Sequence, residues 1–263
     1  MNDTQHAPAA PPMPVLFIGH GSPMNAIEDN PFSRSLVRLA RDLPRPAAIL
    51  VVSAHWQTRG THVTGEAHPR TIHDFGGFPQ ELYDVRYPAL GDPELASTIA
   101  ELAGAATDES WGFDHASWAV VRHMYPEADI PMLELSLDAS ASPEEHHEVG
   151  RRLAPLRDRG VLVVGSGNIV HNLMAVRWED GAEPYPWAVE FDAWVRDRLL
   201  AGDDAGLVGY QSLGRTAQLA HPTNEHYLPV LYAAALRREG EPVSFFHEGL
   251  EMGSISMRGV RIG

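Results

Sequence analysis

The chain has 263 residues, carries 35 Asp and Glu against 20 Lys and Arg for a formal net charge of −15, and contains no cysteine. Disulfides, thiolate-held metals and a cysteine nucleophile are therefore excluded, and the acidic balance argues against nucleic acid or an anionic membrane as partner. All 20 cations are arginine, which removes a lysine Schiff base as well.

Hydrophobic residues make up 44% of the chain, yet no apolar run approaches the ~20 residues needed to span a bilayer, so a soluble, cytoplasmic protein is expected. Residues 1–14, rich in Ala and Pro and without an apolar signal core, read as a disordered leader. Residues 15–263 show no repeat or linker and read as one domain, a monomer or small homo-oligomer.

The first buried strand is Val15-Leu16-Phe17-Ile18, running into Gly19-His20-Gly21-Ser22-Pro23. Asn30-Pro31-Phe32 opens a helix through about Arg41, with Asn30 or Ser33 as cap. Next comes Ala47–Trp56, whose Ile49-Leu50-Val51-Val52 run has the pattern of a strand covered on both faces and stops at Ser53-Ala54-His55-Trp56. Thr61–Glu66 alternates weakly as a neighbouring strand. Thr71–Tyr87 is a long loop, too rich in Gly and Pro for a regular element and too aromatic for a linker, so it either packs on the core or forms one wall of a pocket.

A helix over Asp92–Ala103 and a short extended piece at Ala106-Thr107 follow, and then Trp111–Trp118 enters a helix through about Met124. Asp129–Leu137 is a further buried strand, and Pro143–Arg159 a helix with a capping box of Ser142 and Glu145. Val161-Leu162-Val163-Val164 then runs into Gly165-Ser166-Gly167-Asn168, with His171 just beyond. Helices over Val189–Leu200 and Pro222–Arg238 and closing strands at Val243–Phe246 and Ser254–Ile262 complete the pattern. Alternation of strand and helix predicts a single-domain α/β fold with a mostly parallel central sheet flanked by helices on both faces.

Fourteen histidines are the compositional anomaly. His6, His62, His68, His123, His146, His147 and His247 read as surface imidazoles. Three strands, however, each deliver a histidine (His20, His55, His171) to the edge where ligands collect in α/β sheets, and this repetition points to a mononuclear metal site. His226 joins them, with Glu225 as rival ligand on what reads as a helix start. His171 is either a fourth ligand or a neutral general base, His115 a proton donor or a packed helix-start residue, and His73 a second-line member. Without thiolates, a catalytic metal site with open positions is favoured over a closed structural one. Ser22 and Trp56 beside the strand histidines, with His73, Phe75 and Tyr83 of the long loop, are the expected substrate pocket.

Together, Phe17–Met24 (FIGHGSPM), Val52–Trp56 (VSAHW), Ile72–Pro79 (IHDFGGFP), Trp111–His115 (WGFDH), Gly167–His171 (GNIVH) and Glu225–Pro229 (EHYLP) resemble the class III extradiol ring-cleavage dioxygenases. The similarity runs in order from about Val15 to Gly263 and is strongest to the 4,5-DOPA extradiol dioxygenase-like branch. It implies an enzyme that opens a catechol ring beside the diol with both atoms of O₂, taking a small-molecule catechol and O₂ as its partners. On matching positions it implies His20, His55 and His226 as metal ligands, His171 as the acid/base residue and His115 as a second pocket histidine. One divalent metal per chain is implied, Fe(II) for activity, with Zn(II) an alternative bound ion. Other branches have glutamate as third ligand; here His226 matches that position, which makes the site more electropositive and leaves a zinc-dependent hydrolase as the alternative.

Overall fold

The computed structural model describes residues 11–179 and 181–263. The strands are β1 (Val15–Gly19), β2 (Ala48–Thr58), β3 (His62–Thr64), β4 (Ala106–Asp108), β5 (Met132–Asp138), β6 (Val161–Gly167), β7 (Val243–His247), β8 (Leu250–Glu251), β9 (Ile255–Ser256) and β10 (Gly259–Ile262). Eight of them form one sheet in the order β4-β3-β5-β2-β6-β1-β10-β7, and β8 and β9 form a separate hairpin. The central β5, β2, β6 and β1 are mutually parallel, while β3 and β10 pair antiparallel to them on either side. The sheet is thus mostly parallel at its centre, as the continuous apolar runs required.

The helices are α1 (Pro31–Asp42), α2 (Gln80–Asp84), α3 (Pro93–Ala103), α4 (His115–Met124), α5 (Pro143–Arg152), α6 (Pro155–Asp158), α7 (Pro186–Ala201), α8 (Asp204–Val208), α9 (Arg215–Ala220) and α10 (Leu228–Ala235). Successive strand residues face opposite sides. Leu50, Val52 and Val163 accordingly pack with α3 and with α7 to α10, whereas Ile49, Val51 and Val164 pack with α1 and α4. Helices cover both faces, and among the described residues none is long and apolar enough to cross a membrane.

Several boundaries differ from the sequence expectation, and proline explains two of them. The helix expected over Pro222–Arg238 begins only at Leu228, because Pro229 has no N–H for an i−4 bond and blocks continuation from residues 222–227. Likewise Pro155 divides the helix expected over Pro143–Arg159 into α5 and α6. The Thr71–Tyr87 loop contains the one-turn helix α2, and Ser254–Ile262 divides into β9 and β10. The capping boxes at Asn30 and Ser142 are both formed.

Of the expected leader, residues 1–10 lie outside the described residues, whereas Met13 and Pro14 are buried and belong to the folded body. Met13 exchanges two hydrogen bonds with Arg157, whose peptide oxygen accepts from Met13 N at 3.0 Å and whose Nε donates to Met13 O at 2.7 Å. His146 is another correction: it is 1% exposed, held between the Tyr232 hydroxyl at 2.9 Å and the Asp138 carbonyl at 3.2 Å. His6 lies outside the described residues.

Behind the C-terminal end of β1, Arg258 and Asp192 form an almost fully buried pair at 2.5 Å that ties α7 to the β9–β10 connection. Gly19 N donates to the Arg258 carbonyl at 3.0 Å, so this pair buttresses the residue just before His20. Arg258→Ala leaves the Asp192 charge buried with only the Ser256 hydroxyl donating to it. It should cost about 3–5 kcal/mol in urea unfolding; a loss under about 1 kcal/mol would show that water replaces the guanidinium.

Candidate metal centre

Three loops and strand ends converge at the C-terminal edge of the parallel strands. Gly19 pairs with Gly167 and Ser53 with Ser166, so the ends of β1 and β6 lie level with the middle of β2 and present the Gly167–His171 segment and His20 beside His55. His226 arrives from the turn before α10, and Gly167 is what admits it. A Cβ on Gly167 would stand 2.2 Å from the His226 carbonyl oxygen, which accepts from Asn168 N at 2.8 Å. Gly167→Ala should displace the His226 turn, lower metal content and cost about 1–3 kcal/mol by overpacking. Metal analysis and a melting curve check this, and a variant with unchanged metal content would contradict it.

His20, His55 and His226 have mutual ring-centroid distances of 5.0–5.4 Å and are inclined to one another by 54–80°. A ring nitrogen from each of His20, His55 and His115 lies within 4.8 Å of the others, and the same holds for His171, His226 and a Glu225 oxygen. The two groups meet where His55 Nε2 and His226 Nε2 stand 3.2 Å apart.

Hydrogen bonds fix which nitrogen of each ring faces inward. Asp74 Oδ2 lies 2.9 Å from His55 Nδ1, and Glu225 Oε1 lies 2.9 Å from His226 Nδ1, so both Nδ1 atoms carry the proton. Ser166 Oγ donates its only hydrogen to the Ala116 carbonyl at 2.5 Å and must accept from His20 Nδ1 at 3.1 Å. All three rings therefore turn an Nε2 lone pair toward the centre.

Two lone-pair nitrogens at 3.2 Å repel unless a cation lies between them. Two nitrogens bound to one tetrahedral ion at ~2.0–2.1 Å would be roughly 3.3 Å apart. A proton could serve two of them, but a third nitrogen aimed the same way makes the donor set of a metal. The residues present fit a divalent ion held by three imidazoles, each oriented through Nδ1 by an oxygen partner.

Burial, and then the neighbouring imidazoles, hold the proton affinity of His20 and His226 well below the ordinary histidine value, which keeps both neutral as ligation requires. Burial acts the same way on His55 but is outweighed by the Asp74 carboxylate, which raises it. Asp74 itself resists ionisation through desolvation, yet hydrogen bonds from His115 and His55 hold its carboxyl well below the usual range.

His171 lies flat on His226, with ring centroids 3.5 Å apart and planes within 6°. An imidazole lone pair lies in its ring plane, so the lone pairs of these two stacked rings run side by side rather than toward one point. Burial first, then His221, lower the pKa of His171 to about 4, so it is neutral at pH 7. His115 lies 4.1 Å from His55 by ring centroids, and its Nδ1 and backbone N both bond Asp74 at 2.9 Å. Burial is the main cause that lowers its pKa.

The histidines open into a cavity of about 320 Å³, large enough for a monocyclic ligand. Ser22 and Phe75 line it, Ser22 also capping the short helical turn Pro23–Ala26. The other three expected pocket residues do not reach it. Trp56, one residue after His55, faces the opposite side of β2 and stacks on Trp111 at 5.5 Å. His73 bonds the Val85 carbonyl at 3.1 Å and packs against Trp118, and Tyr83 supports Phe75 from behind at 5.3 Å. Glu225, read from the sequence as a rival ligand to His226, has a side chain only 16% exposed and bonds His226 Nδ1.

Asp74, Ser166 and the side of the cavity formed by Leu173, Val176, Trp178 and Ile255 escaped the sequence analysis. For Asp74 one signal existed: it is the only acidic residue in the aromatic stretch Ile72–Pro79.

A family model described as the catalytic LigB subunit of aromatic ring-opening dioxygenase matches residues 11–259. The chain belongs to this family. It is 52% identical over 258 residues, 95% of each chain, to the 4,5-DOPA dioxygenase extradiol of Escherichia coli (strain K12). To the protein of the same name from Beta vulgaris it is 38% identical over 252 residues, 92% of this chain and 93% of that one. The crystal structure of the uncharacterized protein JW3007 from Escherichia coli K12 superposes with a TM-score of 0.84 at 47% identity, covering 95% of this chain and all of that one. This LigB-family chain is thus an extradiol ring-cleavage dioxygenase, an oxidoreductase with a histidine site suited to a metal.

Proposed function

We propose that the chain binds one Fe(II) through His20, His55 and His226 and opens the ring of a catechol of the 3,4-dihydroxyphenyl class named for its relatives. The observation that carries this reading is the convergence of three Nε2 lone pairs on a monocycle-sized cavity. Nitrogen donors suit Zn(II) as well, so zinc would occupy the same residues without supporting oxygen chemistry. When bound, Fe(II) supplies the redox capacity that side chains lack, together with positions for the diol and O₂.

The remaining work falls to the protein. His171, neutral and beside His226, accepts a proton from the catechol hydroxyl, and the developing negative charge next to it raises its proton affinity in the complex. His115 has Nδ1 committed to Asp74, which leaves Nε2 to pass a proton to the oxygen side. Asp74 favours the charged form that such a transfer needs. Phe75 and Phe78 wall the ring off from water. In the overall reaction the carbon–carbon bond next to the diol breaks, leaving one carbon as carboxylate and one as aldehyde with both atoms of O₂ incorporated.

Anaerobic reconstitution with Fe(II), then 4-methylcatechol and air, should give a yellow ring-opened product, and zinc-loaded protein should give none. Activity confined to the zinc form and to an ester or amide would overturn the assignment.

A further inference from the structure

We propose that Glu134 is a positioning residue that fixes three of the site's histidines through the first turn of α4, with no hydrogen bond to any of them. The inference rests on the reading above that these histidines hold a metal and move protons, and it concerns a carboxyl which that reading does not use. Glu134 lies in the middle of β5, between Leu133 and Leu135, and is fully buried. A carboxyl in such a place is costly unless its oxygens are bonded. Every partner they have stands at the entry to α4. Oε1 accepts from Trp111 Nε1 at 3.0 Å, while Oε2 accepts from Asp114 N at 3.1 Å and lies 2.7 Å from Ser117 Oγ.

Three routes lead from that turn to the histidines. His115 is the first residue of α4, between Asp114 and Ser117. The Asp114 carboxyl caps the helix by accepting from Ala116 N at 2.9 Å, and it also accepts at 2.7 Å from Ser53 Oγ, which in turn accepts from His55 N at 3.0 Å. The Ala116 carbonyl accepts from Ser166 Oγ, the same hydroxyl that accepts from His20 Nδ1. A shift of the turn therefore moves His115 directly and loosens the supports of His55 and His20.

A count of hydrogens shows the form in which Glu134 does this. Ser117 Oγ has one hydrogen, yet it lies 2.8 Å from the Asp114 carbonyl as well as 2.7 Å from Glu134 Oε2. Both contacts are hydrogen bonds only when Glu134 carries a proton and donates it to Ser117 Oγ. Burial, and then the Asp114 carboxyl beside it, push the Glu134 carboxyl well above the ordinary glutamate value, in agreement with that count. Glu134 thus acts as an uncharged acid, a role that an amide can largely fill and an alkyl chain cannot.

The test compares Glu134→Leu, which fills the space without hydrogen bonds, with Glu134→Gln, which keeps a donor for Ser117 and an acceptor for Trp111. Two readouts are taken: kcat and KM for 4-methylcatechol on the Fe(II)-loaded protein, and the visible absorption spectrum of the Co(II)-loaded protein, which reports imidazole geometry without turnover. Glu134→Leu should lower kcat about 100-fold with KM changed less than about threefold, and should shift the Co(II) spectrum. Glu134→Gln should turn over at least about tenfold faster than Glu134→Leu and keep the parent spectrum. Ser117→Ala, which removes one of the bonds from Glu134 to the turn and suits a helix, should lower kcat about tenfold, and it decides the matter should Glu134→Leu not fold. Parent kcat and spectrum in Glu134→Leu, parent kcat in Ser117→Ala, or a Glu134→Gln no faster than Glu134→Leu overturns the inference. If the parent protein opens no catechol, the dioxygenase reading fails, and the Co(II) spectra still decide whether Glu134 sets the histidines.

Discussion

Replacing His171 by Asn should lower kcat about 10²–10⁴-fold while the protein still binds its metal at full stoichiometry. The reason is geometric. His171 lies parallel to His226 at 3.5 Å, so the in-plane lone pairs of the two rings run side by side rather than toward one point. If His226 holds the metal, His171 would be placed to accept a proton from a bound hydroxyl. Burial keeps the imidazole neutral at pH 7, with a pKa near 4, so its lone pair is available before substrate arrives. Asn removes this acceptor but also the stacking surface against His226, so His171→Phe, which keeps a ring and lacks a base, is the companion variant. Both should retain metal and lose turnover, whereas His226→Ala should lose both. Loss of metal in the two His171 variants in proportion to activity would instead make His171 a ligand.

Asp74→Asn should weaken metal binding about 10- to 100-fold and lower kcat/KM further. One carboxylate accepts from Nδ1 of both His55 and His115 and from the backbone N of His115. An amide keeps one acceptor oxygen and turns an NH₂ toward the second ring. That ring then has to present a bare Nδ1 and move its proton to Nε2. If the ring is His55, the Nε2 lone pair facing His226 is lost to the metal; if it is His115, proton transfer fails. Calorimetric metal titration separates the outcomes, and the substitution is nearly isosteric, so packing changes little. Unchanged metal affinity together with unchanged turnover would show that Asp74 only joins two loops.

The strands were legible because a parallel sheet buried on both faces needs unbroken apolar runs, and the histidines stood where those runs stop. The Ser142–Glu145 capping box was equally plain, and Asn30 was one of the two caps read for α1, since a cap acts over three residues. Trp56 was misplaced although the information was there: next to an inward His55, strand alternation sends residue 56 to the other face. Pro229 and Pro155 likewise marked helix limits that longer apolar periodicity obscured.

Asp74 was different. Its partners lie 19 and 41 positions away, and nothing local shows that an aspartate in a Gly-rich loop will bridge two imidazoles. The role of Glu225 depended on the chain being a turn rather than a helix, which lets adjacent side chains meet. Phe75 was read from its aromatic loop, but the side of the cavity formed by Leu173, Val176, Trp178 and the β8–β9 hairpin escaped notice because no strand-end histidine marks those segments.

The most direct test of the central claim is ring opening under ¹⁸O₂ by protein reconstituted with one Fe(II) per chain, with the product weighed by mass spectrometry. Incorporation of two labelled oxygens into the ring-opened product of a catechol, allowing for exchange of the aldehyde oxygen with water, is the predicted result. No ring-opened product, or one whose added oxygen comes from water alone, would contradict it.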